Sequence, residues 1–258
     1  MSLLEIIALL TASCIAGMMN AVAGGGTLIT FPILILFGIP PIIANATNTL
    51  VQVIGITGSL YGFRESIQEV RSWFKIFIPV SLVGGVLGSY LLTHGSESIF
   101  THLVPYLVLF ATLLFMMQGM VKKWVVHQMV LEHPAGSTRT HLLVTIFFQF
   151  FVSLYGGYFG AGIGILMLAS LGFLGFTSIH RMNALKCVLG FLINLVAALW
   201  FTIHGLINWP VMAIMTVGAL AGYYFGATYS QRLSQERVRH LIAAIGLIIT
   251  VVMFWKLH

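Results

Sequence analysis

Residues 23–41 read AGGGTLITFPILILFGIPP, and residues 159–175 answer with FGAGIGILMLASLGFLG. Each stretch is as apolar as a membrane span, yet each opens on a glycine cluster and closes on a glycine turn. That leaves about 13 to 16 residues of helix, where a full crossing takes about 20. A helix so short is compatible with a re-entrant or half-length segment. Irregular backbone at membrane depth is tolerated only where it is buried in protein or lines a cavity. The interruptions therefore bear on fold and function together.

The rest of the chain fits a membrane setting. Of its 258 residues 59% are hydrophobic and 7% charged, with mean hydropathy +1.02, against roughly 25% charged in a soluble domain. No Lys, Arg, Asp or Glu occurs in 6–63, 76–96, 140–180 or 187–231. The chain reads as an all-α polytopic membrane protein. Its start, MSLLEIIALLTASCIAGMMNAVAG, ends like a signal peptide, but Glu5 is its only early charge and a signal peptide needs a positive n-region. It reads as a retained first helix. Cys14 and Cys187 sit in apolar runs without metal or disulfide spacing and read as small core hydrophobes. The net charge of +6 comes from residues scattered over short loops. With no basic stripe, it does not point to nucleic acid.

Ten apolar segments separate at breakers, roughly 3–22, 26–38, 41–62, 73–93, 98–121, 140–157, 160–175, 178–203, 207–229 and 238–256. Aligning Gly24 with Gly160 divides residues 1–258, a single membrane domain, into two repeats of five segments. These are about 3–121 and 140–256, joined by a polar loop at 122–139. Lys and Arg in short loops set orientation. If each short segment returns the chain to the side it came from, three clusters share one side: Arg64/Arg71/Lys75, Lys122/Lys123/Arg139 and Arg232/Arg237/Arg239. Arg181 and Lys186 join them, and only Lys256 falls opposite. Each half then crosses an odd number of times. The repeats are expected to be inverted, an arrangement used by secondary transporters, with both termini non-cytoplasmic.

A helix beginning inside the membrane exposes unpaired N–H groups and the positive end of its dipole, which together favour an anion. Gly24, Gly25, Gly26 and Thr27 are one expected end; Gly160, Gly162 and Gly164 are the other. Close helix packing is the competing reading for such glycines. Polar helix starts follow both clusters. ANATNTLVQ supplies Asn45, Thr47, Asn48 and Gln52, with Asn45, Asn48 and Gln52 on one face. HRMNALK supplies His180, Arg181, Asn183 and Lys186. Arg181 reads as a membrane-edge residue. Lys186 either snorkels to the surface or pairs with an anion in the cavity. Asn20, Gln149 and Asn194 are further intramembrane amides that suit interhelical contacts. The chain has no Asp, and Glu5 is the only acid in a span, so carboxylate-based ion coupling is not expected. No catalytic set, metal-ligand pair or phosphate loop is visible, and Ser153 and Ser170 read as packing residues.

GGGTLITFPILILFGIPPIIANATNTL at 24–50, followed by GGYFGAGIGILMLASLGFLGFTSIHRMNALKCVLGFLINLVAAL at 156–199, resembles the TauE/SafE family of membrane transporters, the sulfite exporters. The resemblance covers nearly the whole chain: both glycine motifs, the G-x-P turn, the Asn-rich helix start and the segment count. It implies movement of sulfite, organosulfonates or related small oxyanions across the bacterial inner membrane. The halves differ, with GGG and neutral amides in the first and GAGIG and Lys186 in the second. The expectation is a secondary transporter rather than an enzyme, with no cofactor and no metal. Its expected partners are a small anionic substrate and the lipid bilayer, and self-association into a homo-oligomer stays open. An anion channel of the same fold and a non-transporting scaffold are the alternatives.

Overall fold

The structure, a computed structural model, describes residues 2–22, 25–131, 139–174, 176, 178–229, 243–244, 246–248 and 250–255. These include α1 (Leu3–Val22), α2 (Thr27–Leu36), α3 (Pro41–Gly62), α4 (Arg64–Glu69) and α5 (Arg71–His94). There follow α6 (Glu97–Leu131), α7 (Arg139–Tyr158), α8 (Ile163–Leu171) with a 3-10 turn at Gly172–Leu174, α9 (Ile179–Ile203) and α10 (Trp209–Tyr229). Residues 250–255 are again helical. The all-α polytopic expectation holds, and no strand occurs among the described residues. Helices α1, α5, α6, α7 and α9 are long and apolar enough to cross a membrane.

Local chemistry sets the boundaries. Gly38 at φ +77° closes α2: its N–H reaches Ile35 O at 3.0 Å while Ile39 N–H reaches Leu34 O at 3.1 Å. This pair of bonds is a Schellman motif, and its left-handed residue is commonly glycine. Pro41 then opens α3 at a position where its missing N–H costs nothing. Two departures from the sequence expectation stand out. A short helix, α4, lies between α3 and α5. And α6 does not stop near residue 121 but continues through Lys122 and Lys123 to Leu131, for 35 residues in all. At 1.5 Å per residue it is about 52 Å long, well beyond a hydrocarbon core of about 30 Å. The expected polar loop therefore begins as a helix; hydropathy falls there, but helicity does not.

The longest packed interfaces join α1 to α10 and α5 to α7. Each pairs a helix from one half of the sequence with a helix from the other, and small residues bring the backbones together. A Cβ on Gly88 would lie 2.1 Å from Leu154 O, and one on Gly157 2.1 Å from Gly85 O. At the other interface, a Cβ on Gly222 would lie 2.0 Å from Cys14 O, and one on Gly17 2.5 Å from Ala219 O. Gly84/Gly88 and Gly218/Gly222 are both spaced four apart, the small-xxx-small spacing that allows close approach in membranes. Helices α1, α2, α3 and α10 pack as one group, while α5, α7, α8 and α9 pack as another. The two groups meet where α3 lies against α9. Gln149 ties α7 to α5 by donating to Ser81 Oγ at 3.1 Å, and also donates to Ser153 Oγ at 3.3 Å within α7. Ser170 of α8 donates to Gln149 Oε1 at 3.4 Å. These buried polar residues hold helices together.

Candidate binding site

The two short helices begin where the glycine clusters predicted. Gly24 lies outside the described residues. Gly25, at φ +88°, packs under Phe115, whose Cε2 would be 2.7 Å from an added Cβ. The Gly26 N–H donates to Asn20 Oδ1 at 2.8 Å. Thr27 Oγ1 accepts from Gln52 Nε2 at 2.8 Å. One turn on, Thr30 Oγ1 donates to Asn48 Oδ1 at 2.6 Å and also lies 3.2 Å from Gly26 O. The start of α2 is thus held by side chains of α1 and α3, and some of its donors are already engaged.

A small, mostly apolar cleft with a few polar side chains opens beside this point. Its lining includes Asn20 of α1, Thr30 of α2, Asn48 and Gln52 of α3, and Tyr223 of α10. Asn48 is 2% exposed. Thr30 fixes its oxygen, while its Nδ2 is buried with no hydrogen-bond partner among the described residues. A buried donor left unpaired costs about 1–3 kcal/mol, so a ligand acceptor placed there recovers what the protein forgoes. The ring of Tyr223 fits only because residue 55 is glycine: a Cβ there would lie 2.1 Å from Tyr223 Cε2.

Asn45 behaves differently, although it shares a helix face with Asn48. It does not line the cleft; its Nδ2 donates to Tyr158 O at 3.1 Å, joining α3 to the end of α7, and its Oδ1 has no partner among the described residues. Beneath this crossing Phe31 meets Phe159 edge-on, with centroids 5.1 Å apart.

The second cluster is built otherwise. Gly160 and Gly162 have φ +77° and +78°, and Gly162 is the N-cap of α8. Ile165 N–H bonds to Gly162 O at 2.9 Å and Gly160 N–H to Tyr155 O at 3.1 Å. Left-handed backbone costs about 1–2 kcal/mol for a residue with a Cβ. Gly162→Ala is therefore expected to lower the midpoint of thermal unfolding, although a Cβ there would come no nearer than 3.5 Å to Leu114. An unchanged midpoint would show that the turn tolerates a side chain. Gly164 lies under the Lys186 stem: a Cβ on it would sit 3.8 Å from Lys186 Cδ. Lys186 is half-buried, and the sole ion pair among the described residues joins Arg181 of α9 to Glu69 of α4 instead. Half-buried Asn183 lies one turn before Lys186.

The structure therefore gathers Gly26, Thr27 and Asn48 at one point, and Gly164 with Lys186 at another. Thr30 and Tyr223 join the first group without a clear sequence signal, since a threonine and a tyrosine inside apolar runs look like packing. The polarity of the Asn20 side chain was visible, its role at Gly26 was not.

Interrupted helices, buried amides and apolar helices of spanning length define a polytopic membrane protein, and its family makes it a membrane transporter. Its family is equally definite: the chain belongs to the family described as Sulfite exporter TauE/SafE, which matches residues 9–253. It is 30% identical over 243 residues to a probable membrane transporter protein of Haemophilus influenzae, covering 93% of this chain and 91% of that protein. It is 25% identical over 249 residues to the probable membrane transporter protein ORF9 of a Sinorhizobium species, covering 94% and 90%. With the probable membrane transporter protein YfcA of Escherichia coli K12 it shares 24% identity over 246 residues, covering 95% and 87%. No solved structure matches the chain.

Proposed function

We propose that this protein is a secondary transporter for a small anion, sulfite, an organosulfonate or a related oxyanion, in the bacterial inner membrane. The observation that carries the reading is the unpartnered Asn48 Nδ2, buried in the cleft beside the start of α2. A neutral amide donor and a helix dipole suit an anion without the desolvation cost of a buried cation. Gly26, Thr27 and Asn48 form the first contact set, with Gly24 and Gly25 shaping the turn. Gly160, Gly162 and Gly164 shape the second, where Asn183 adds a donor and Lys186 charge compensation. Asn45 contributes at the crossing between halves.

The exchanged pairs α1–α10 and α5–α7 support two repeats related by a pseudo-two-fold axis. Inverted repeats accord with the basic loops and put both termini on the non-cytoplasmic side. Because each half is locked backbone to backbone onto the other, a rocking of one half against the other would break both glycine-packed interfaces. Movement of the group α1/α2/α3/α10 against α5/α7/α8/α9 keeps those interfaces whole and shifts the α3–α9 contact, together with the Asn45–Tyr158 bond and the Phe31–Phe159 pair. Alternating access by rigid bundles is the established mode for repeat transporters.

Radiolabelled sulfite flux into proteoliposomes tests the reading. Saturable uptake with counterflow is expected for wild type. Lys186→Ala is expected to reduce it about tenfold, through loss of a charge that faces the substrate away from bulk water. Wild-type flux in that variant would remove Lys186 from the site. No flux of sulfite or of a sulfonate panel by folded protein would remove the proposed cargo.

A further inference from the structure

We propose that Asn20 is an internal stand-in for the substrate: its Oδ1 and an oxygen of the transported oxyanion compete for the same Gly26 N–H. The inference rests on the anion reading of the cleft and deepens it.

The geometry has three parts. First, the Gly26 N–H belongs to the positive end of α2 and is satisfied not by a helix-capping side chain of its own segment but by Asn20 of α1, at 2.8 Å. The contact is tight: a Cβ on Gly26 would lie 2.7 Å from Asn20 Nδ2 and 2.5 Å from Ala16 O. Glycine at this position lets the amide press onto the backbone. Second, the neighbouring donor, Asn48 Nδ2, is buried and unpartnered. Thr30 links the two donors, since its hydroxyl contacts both Gly26 O and Asn48 Oδ1. One donor is thus engaged by an amide oxygen and the adjacent one by nothing; Asn20, Thr30 and Asn48 line the cleft, and Gly26, outside that lining, is bonded to the first two of them. Third, Tyr223 of α10 lines the same cleft as Asn20. A displaced Asn20 therefore has a polar neighbour within the cleft, supplied by the other half of the chain.

The chemistry of the exchange gives selectivity. A hydrogen bond to an ionised acceptor is roughly twice as strong as one to a neutral acceptor. An oxyanion can displace the Asn20 oxygen from Gly26, whereas a neutral solute gains nothing by doing so. Asn20 keeps the helix start satisfied between transport events and sets a threshold that only a charged oxygen passes.

The test is equilibrium binding of two probes, sulfite and methanesulfonate, to the full chain in lipid nanodiscs. Wild type is compared with Asn20→Ala and Asn20→Asp, with thermal unfolding as a check on folding. Asn20→Ala removes the competitor and is expected to tighten binding about 3- to 10-fold, the weight of one ordinary hydrogen bond. Asn20→Asp keeps an acceptor on Gly26 and adds a negative charge, so binding is expected to weaken at least about tenfold. Binding to Asn20→Ala that is unchanged or weaker overturns the stand-in role, as does wild-type affinity in Asn20→Asp. The Asp variant, which preserves the cap, decides the matter if Asn20→Ala does not fold. Binding to wild type with no shift in either variant overturns this inference alone. No binding of either probe to wild type overturns the anion reading and this inference with it.

Discussion

Asn48→Ala is expected to lower anion flux by about 10- to 100-fold while leaving membrane abundance and thermal stability near wild type. The size follows from a hydrogen bond to a charged partner, about 1.5–3 kcal/mol, at about 1.4 kcal/mol per factor of ten. Stability is expected to hold because the alanine removes a donor that has no partner among the described residues. What the protein loses is one hydrogen bond, from Thr30 to Asn48 Oδ1, and Thr30 keeps Gly26 O within 3.2 Å. Asn48→Asp is the sharper companion: it retains an acceptor for Thr30 but replaces the free donor with negative charge, and flux is expected to vanish. Initial rates in proteoliposomes normalised to reconstituted protein check both. Flux at the wild-type level in Asn48→Ala would show that the cleft is not the binding site, however well it is built.

The second large effect concerns assembly. Gly88→Ala and Gly222→Ala each place a methyl about 2 Å from a main-chain oxygen of the partner helix, Leu154 and Cys14 respectively. No rotamer relieves such a clash, because the obstructing atom is backbone. Overpacking of a rigid contact costs about 1–3 kcal/mol and sometimes more, and here the helices must separate along one of the two longest interfaces. Each variant is expected to lose several degrees in its unfolding midpoint, and valine at either position to abolish folded protein. Gly58→Ala is the control, since nothing lies within 4 Å of a Cβ there. Fluorescence-detected size exclusion with a temperature ramp separates these outcomes. Stability in Gly88→Ala equal to that in Gly58→Ala would mean that α5 and α7 do not pack as closely as described.

Much of this architecture was legible before any coordinates. The bounds of α3 at Pro41 and Gly62 coincide with those expected, because a proline and a glycine punctuate the chain at those points. Helix α2 was found through its glycines for the same reason. The glycines at 84, 88, 218 and 222 carried no such mark: inside an apolar run a glycine leaves hydropathy unchanged, and its meaning lies in the helix opposite. The extension of α6 past Lys122 escaped for the complementary reason, since hydropathy reports the membrane boundary and not the end of a helix. At the site, helical spacing singled out Asn48 and Gln52, yet also placed Asn45 beside them, and only packing sends Asn45 toward Tyr158. Tyr223 was out of reach, because its partners lie in the far half of the sequence and no local pattern connects them.

The exchange of helices between halves also constrains how the protein is made. Ribosomes deliver the chain from the N-terminus at about 5–20 residues per second. Helix α1 leaves first, but the surface that covers Gly17 is on α10, which begins at Trp209. At that pace roughly 10 to 40 seconds separate the two. Through that interval α1 sits in the bilayer with its glycine face uncovered, and α5 waits likewise, more briefly, for α7. The first half cannot be finished when its synthesis ends; α10, from the second half, closes against the first helix. Truncation anywhere before α10 therefore strands the earliest helix of the molecule, not only the latest.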